Sequence, residues 1–392
     1  MAHKPSGNDA GITSTSRRKF LVAAGATGAT ALAGCTGNGN GGGDGNNQGT
    51  DAGNNSQSVS SISGAGSSFV APIVGKWAQV YHKQNGLEVN YRSIGSGGGQ
   101  KNLIDKTIDF AGSDAPLSTD QYNSLQSDGG VVHVPETLGA IVPVFKLPNV
   151  GSLKITGPVL AEIFLGDITK WNDPKLAKLN PDANLPDQKI VVAHRSDASG
   201  TSYGYTGYLN AVSDKWKSQV GQSKSPDWPT GIGGKGNEGV ASIMKKQSYA
   251  IGYVELTYAT ENNIDMFTMQ NKAGKWVDAS LEGVSSAAAG ALDSLPKGDG
   301  DWSSVGINDA PGDKTWPIST FTYIIMYKDF GKAYGGKVSE AEAKATVKFI
   351  DWMIHDGQQY SNGLKYPKLP DAVVKLDEKT LKSMTYNGKS LL

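Results

Sequence analysis

The loop His194-Arg195-Ser196-Asp197-Ala198-Ser199-Gly200-Thr201-Ser202 carries the residue types best suited to chemistry in this chain. It follows a strand-like run, Ile190-Val191-Val192-Ala193, and precedes residues 203–209, whose apolar and aromatic content suits a helix packed on a core. A helix start leaves its first N–H groups unpaired and partly positive, so a Ser/Gly/Thr loop there is a seat for an anion. Gly200 lets the backbone come close, while Ser199 and Thr201 add hydroxyl donors. Arg195 adds a planar cation able to grip two oxygens of a carboxylate, sulfate or phosphate at once, and Asp197 is spaced to hold it in one rotamer. The competing reading is local: Ser199 or Thr201 caps the helix, and Arg195 with Asp197 forms an exposed ion pair.

The elements around this loop repeat its layout. Ile62-Ser63 reads as a short strand running into Gly64-Ala65-Gly66-Ser67-Ser68-Phe69, after which Pro72 opens a helix with Ile73, Val74, Trp77 and Val80 on one face. Residues 87–91 alternate as a strand and lead to the glycine-rich run 94–100 and a helix to about Lys106. A third strand, 108–112, ends in Ser113-Asp114-Ala115-Pro116, and Ser118 with Gln121 forms a capping box for the next helix. Further on, helices are expected at 159–165 (stopped by Gly166), 174–179 and 238–246 (capped by Asn237), with strands at 250–255 and 318–327. Ser339 with Glu342 caps a strong helix, and a last one spans about 370–383. Repeated strand, loop and helix units predict an α/β fold whose polar loops gather at the carboxyl ends of the strands.

Composition excludes several functions. Lys plus Arg equals Asp plus Glu at 37 each; residues 1–35 hold Lys4, Arg17, Arg18 and Lys19 against Asp9, leaving 33 basic and 36 acidic residues beyond them. Such a balance presents no basic field for nucleic acid. The five histidines are scattered and form no metal motif, and no G-x-S-x-G elbow occurs. His194, Asp197 and Ser199 are too close in one loop to form a nucleophile relay. Gly231-Ile232-Gly233-Gly234-Lys235-Gly236 has G-x-G-x-x-G spacing, but no long strand precedes it and Pro229 stands just before, so Lys235 is read as a solvated loop charge. No cofactor and no metal ion is expected, and the chain is read as a binder, not an enzyme.

The amino-terminal segment 1–35 reads as an export signal. Ser16-Arg17-Arg18-Lys19-Phe20-Leu21 is a twin-arginine pattern, followed by a weakly apolar run too short to span a bilayer. It ends in Leu32-Ala33-Gly34-Cys35, similar to a lipoprotein processing site with lipid on Cys35, the single cysteine. Residues 36–60, mostly Gly, Asn, Ser, Gln and Asp, form a flexible tether. The folded part is therefore expected outside the cell, lipid-anchored to the outer face of the membrane.

Four motifs carry a family resemblance: Gly64-Ala65-Gly66-Ser67-Ser68-Phe69-x-Ala71-Pro72, Gly95-Ser96-x-Gly98-Gly99, Asp109-Phe110-x-Gly112-Ser113-Asp114-Ala115-Pro116-Leu117, and Arg195-x-Asp197-x-Ser199-Gly200-Thr201-Ser202. With Trp228-Pro229, Gly233-Gly234-Lys235-Gly236-Asn237, 251–255 and Leu369-Pro370-Asp371, the chain from residue 61 onward resembles the phosphate-binding proteins of high-affinity phosphate ABC transporters. The resemblance implies a two-lobe periplasmic-binding-protein fold, type II-like, with a hinge between lobes: 61–140 and 317–392 in one lobe, 141–316 in the other. It implies that inorganic phosphate is held by Ser68, the Phe69 N–H, Ser96, Asp114, Arg195, Ser199, the Gly200 N–H and Thr201, with Asp197 orienting Arg195. Asp114, an acceptor among donors, would take the proton that phosphate carries and sulfate lacks. ABC transporter permease subunits are the implied partner, and the protein is expected to act as a monomer. The sequence departs from the family where Thr is frequent, at Ser68, where Ser is frequent, at Gly97, and where Gly is frequent, at Ala198. A binder of another oxyanion (arsenate, sulfate, molybdate) and, more remotely, a secreted phosphoesterase are the alternatives.

Overall fold

The structure, a computed structural model, describes residues 59–392. The twin-arginine segment, Cys35 and the tether up to residue 58 lie outside the described residues. Val59 and Ser60, expected to be tether, are already folded: Val59 packs against the core, and the Ser60 carbonyl accepts from Glu88 N at 2.9 Å.

From there the chain alternates as β1 Ser61–Gly66, α1 Ala71–Asn85, β2 Glu88–Ser93, α2 Ser96–Ile104, β3 Phe110–Ser113 and α3 Thr119–Leu125. Local signals act where expected. Pro72 sits in the first turn of α1, which buries Ile73, Val74, Trp77 and Tyr81 and ends at a left-handed Gly86. The capping box of Ser118 and Gln121 is formed at α3. Gly64-Ala65-Gly66, expected as loop, extends β1, because parallel pairing to β2 and β3 on both sides carries a tripeptide of low strand propensity. Gly97, Gly98 and Gly99 of the second loop likewise lie inside α2, with Gly95 just ahead of it as the cap residue.

The long strand β4 Val131–Lys146 comes next, then β5 Lys154–Ile155, α4 Gly157–Leu165, α5 Pro174–Leu179, β6 Val191–Arg195, α6 Gly200–Val212 and α7 Asp214–Gln219. These are followed by β7 Ile232–Gly234, α8 Gly236–Lys246, β8 Ala250–Glu255 and α9 Leu256–Glu261. The short strands β9 Asp265–Met266, β10 Thr268–Gln270 and β11 Trp276–Val277 and helix α10 Leu281–Ala289 lead to β12 Ser319–Tyr327. Helices α11 Phe330–Tyr334, α12 Glu340–Ile354 and α13 Asp371–Lys382 then pack back, with Ser339 capping α12 through the Glu342 N–H.

The main sheet runs β2-β1-β3-β12-β4-β8-β6-β7. Its seam is β4: residues 131–140 pair antiparallel with β12, while 141–146 pair antiparallel with β8. One strand thus belongs to two half-sheets, giving a two-lobe α/β architecture. Periodicity does not announce β4, since fifteen of its sixteen residues are buried and none of the two-residue alternation of a half-exposed strand appears. It also contains Pro135 and Pro143. Tyr323 faces Pro135 and Thr322 faces Thr137, so Glu136 is a bulge, and the broken register lets a proline without an N–H sit in a central strand.

Candidate functional site

The carboxyl ends of β1, β3, β6 and β7 deliver loops to one place between the half-sheets. From the second half, β6 ends on Arg195. Its Nε donates to Asp197 Oδ1 at 2.8 Å and its Nη2 to Asp197 Oδ2 at 2.5 Å, a two-pronged pair in which the side chains are 1% and 13% exposed. The local reading of an exposed ion pair therefore does not hold. Burial pulls the Arg195 proton affinity down, but the Asp197 hydrogen bonds and charge more than offset it. Burial likewise raises Asp197, and the Arg195 bonds outweigh this, leaving its carboxyl below the usual range. With its geometry set, Arg195 donates a third bond, Nη1 to Thr201 Oγ1 at 3.2 Å.

Ser199 does cap α6, its Oγ accepting from Ser202 N at 3.0 Å. Gly200 and Thr201 follow at the first two positions of the helix, where N–H groups point beyond the helix end. At Gly200 a Cβ would stand 2.5 Å from Ser96 Oγ and 2.6 Å from the Asp114 carboxyl, so only glycine allows the two halves to approach this closely.

From the first half come Ser68, between β1 and α1, Ser96, at the first position of α2, and Asp114, directly after β3. Ser96 Oγ donates to Asp114 Oδ1 at 3.0 Å, and Thr201 Oγ1 donates to Asp114 Oδ2 at 3.1 Å from the opposite half. Asp114 is 2% exposed. Burial raises its carboxyl above the ordinary value, against the pull of its hydroxyl partners and Arg195. The expected Phe69 N–H is engaged otherwise, donating to Ser67 Oγ at 2.9 Å.

The structure adds residues that the sequence reading missed. Asn237, expected to cap a helix, is not the cap: α8 begins at Gly236 with Lys235 in the cap position. Asn237 is fully buried instead, contacting Ser68, Thr201 and the backbone of Glu255. The motif around it was visible, but only the assembled site distinguishes a buried amide from a cap. Tyr253 supports the loop, its hydroxyl accepting from Arg195 N at 3.2 Å and lying 2.6 Å from Ser202 Oγ. Lys224 reaches across to Gln100 Oε1 on α2. Gly97 N donates to Ala198 O at 2.9 Å, and a Cβ on Gly97 would meet the Ala198 methyl at 2.4 Å. Two of the three departures from the family pattern, Gly97 and Ala198, are therefore spatial partners, one making room for the other.

The arrangement offers buried hydroxyls, a fixed guanidinium and helix N-termini around one carboxylate, which suits an oxyanion that carries a proton. A relay of His194, Asp197 and Ser199 is not formed. The His194 ring stacks on Trp228 with centroids 4.9 Å apart, its Nδ1 faces the Arg195 carbonyl, and Asp197 is committed to Arg195. Among the described residues no cluster of His, Cys, Asp and Glu could hold a metal ion.

Comparison with known proteins gives a consistent picture. The profile of the family described as "PBP superfamily domain" matches residues 45–356. The chain is 47% identical over 315 residues to the phosphate-binding protein PstS of Pasteurella multocida, covering 80% of this chain and 87% of that one. It is 45% identical over 318 residues to PstS of Haemophilus influenzae, covering 81% and 91%. A solved phosphate binding protein from Stenotrophomonas maltophilia, at 16% identity, matches in fold with a TM-score of 0.59, covering 84% of this chain and 96% of that one. The chain belongs to the PBP superfamily and, within it, to the family of PstS phosphate-binding proteins.

Proposed function

We propose that this protein binds inorganic phosphate outside the cytoplasm and delivers it to the permease subunits of an ABC transporter, without chemical turnover. The observation that carries this reading is the Asp114 carboxylate buried among donors from both halves, with Ser96 on one side and Thr201 and Arg195 on the other. Donors alone would suit any oxyanion; the acceptor in their midst favours one that brings a hydrogen. Ser68, Phe69, Ser96, Asp114, Arg195, Ser199, Gly200 and Thr201 are the proposed ligands, with the Phe69 N–H leaving Ser67 to reach the anion. Asp197 positions Arg195.

The lobes are assigned as 61–140 with 317–392, and 141–316, a division supported by the handover of β4 from β12 to β8 after Ala140. Phosphate would bridge them and favour the closed state, because only closure offers both donor sets. The twin arginines and Cys35 support export and lipid anchoring at the outer face of the cell membrane; the protein is assigned there as a monomer. Among the described residues no helix is long and apolar enough to cross a membrane.

The test is calorimetric titration of the purified protein, freed of carried-over ligand by partial unfolding, with phosphate and then sulfate at neutral pH. Tight one-to-one phosphate binding with no sulfate heat is expected. Equal binding of both anions overturns the phosphate assignment.

A further inference from the structure

We propose that Asn237 is a positioning residue that fixes two hydroxyls, one from each half, aiming that of Ser68 toward the bound anion and that of Thr201 toward Asp114. The proposal rests on the phosphate-binding reading and deepens it. Asn237 is buried in the first turn of α8, and its Oδ1 accepts from Glu255 N at 3.0 Å. A backbone N–H can only donate, so this bond decides which end of the amide is oxygen and turns Nδ2 toward the cleft. Ser68 Oγ then accepts twice from the same residue, from Asn237 N and from Asn237 Nδ2, each at 3.0 Å.

A hydroxyl has two lone pairs and one hydrogen. With both lone pairs of Ser68 taken, its O–H is left solely as a donor and must find an acceptor elsewhere. Thr201 is treated in the same way: its Oγ1 accepts from Asn237 Nδ2 at 3.2 Å and from Arg195 Nη1 at 3.2 Å, which commits its hydrogen to Asp114 Oδ2 and so holds that carboxylate in place beside the anion. A free hydroxyl rotates and spends part of its time presenting a lone pair to an anion, which repels it. Asn237 removes that freedom as the halves close, so the Ser68 hydrogen faces the anion without a further ordering cost. Its contact with Ser68 also crosses between the halves, so the device is assembled only when they close.

The test is a double-mutant cycle on phosphate affinity, with the unfolding midpoint of each ligand-free variant measured alongside. Asn237→Ala is expected to weaken phosphate about tenfold, the scale of one well-directed hydrogen bond. In a Ser68→Ala background the same change is expected to cost about twofold or less, because the hydroxyl it directs is gone. Asn237→Asp keeps shape and the Glu255 bond but places an acceptor where Nδ2 stood, turning the Ser68 hydroxyl away from the anion and drawing that of Thr201 off Asp114. It is expected to weaken binding more than Asn237→Ala. The proposal is overturned if Asn237→Ala binds as wild type, if its cost is the same with and without the Ser68 hydroxyl, or if Asn237→Asp is no worse than Asn237→Ala. Wild-type protein that binds no phosphate overturns the functional reading as well, an outcome distinct from the other three.

Discussion

Replacing Asp114 by Asn tests where anion selectivity originates. In the native site Oδ1 takes the Ser96 hydroxyl at 3.0 Å and Oδ2 takes the Thr201 hydroxyl at 3.1 Å. An amide offers one acceptor and one donor end, so one of these bonds must reverse. Thr201 Oγ1 already accepts from Arg195 and Asn237 and has no lone pair for a third donor. Ser96 Oγ accepts from Asp114 N at 3.3 Å and has a second lone pair to offer. The amide therefore settles with its oxygen toward Thr201 and its NH₂ toward Ser96, and the site stays satisfied. For the ligand the consequence is larger. The wild-type carboxylate accepts a hydrogen from phosphate but meets a bare oxygen of sulfate, and a buried polar contact with no hydrogen in it costs about 2–3 kcal/mol, roughly 30- to 150-fold in affinity. Asp114→Asn removes both the charge and the demand for a hydrogen, so the phosphate-over-sulfate ratio is expected to fall about a hundredfold. Competition calorimetry at neutral pH and fixed ionic strength measures that ratio directly. An Asp114→Asn protein that rejects sulfate as strongly as wild type refutes the reasoning.

Three further outcomes are expected. Gly97→Ser places a Cβ against the Ala198 methyl and should weaken phosphate tenfold or more by hindering closure, whereas Gly97→Ser with Ala198→Gly should recover most of it, about the size expected for touching residues; equal losses in both, read by titration, would sink the pairing. Burial pulls the Lys224 ammonium down to about 8, so its charge beside the cleft is present below that pH and lost above it. Wild-type phosphate affinity should therefore decline between about pH 7 and 9 relative to Lys224→Met, with parallel profiles counting against the argument. Asp377 on α13 is buried with no partner for either oxygen among the described residues, and burial pushes its carboxyl well above the ordinary range. A raised folded-state value means its contribution is fully present below the unfolded value, about 3.9, and is lost as pH rises toward the folded one. Asp377→Asn should thus stabilise the fold by about 1–3 kcal/mol at neutral pH and not near pH 4; denaturant melts showing the same difference at both pH values would contradict this.

The amino-acid sequence by itself determined the features that depend on neighbours a few residues apart. The capping box at Ser118, the cap at Ser339, the left-handed stop at Gly166 and the strand-to-helix loop at Arg195 were all legible, because caps and turns satisfy backbone groups within about four residues. Arg195, Asp197, Ser199 and Thr201 could be singled out for the same reason: one loop holds them all. The strand β4 escaped notice because burial on both faces erases alternation and because Pro135 stands inside it, a proline that the bulge at Glu136 makes tolerable. Asn237 escaped because its side chain looks locally like a cap, and nothing within its own helix says that Ser68, 169 residues earlier, will come to rest 3.0 Å away. Tertiary structure alone decided that contact, the Asp114–Thr201 bond and the fit of Gly97 against Ala198. Each joins the two halves, and a pairing between distant segments has no energy until the chain between them has folded and brought them together.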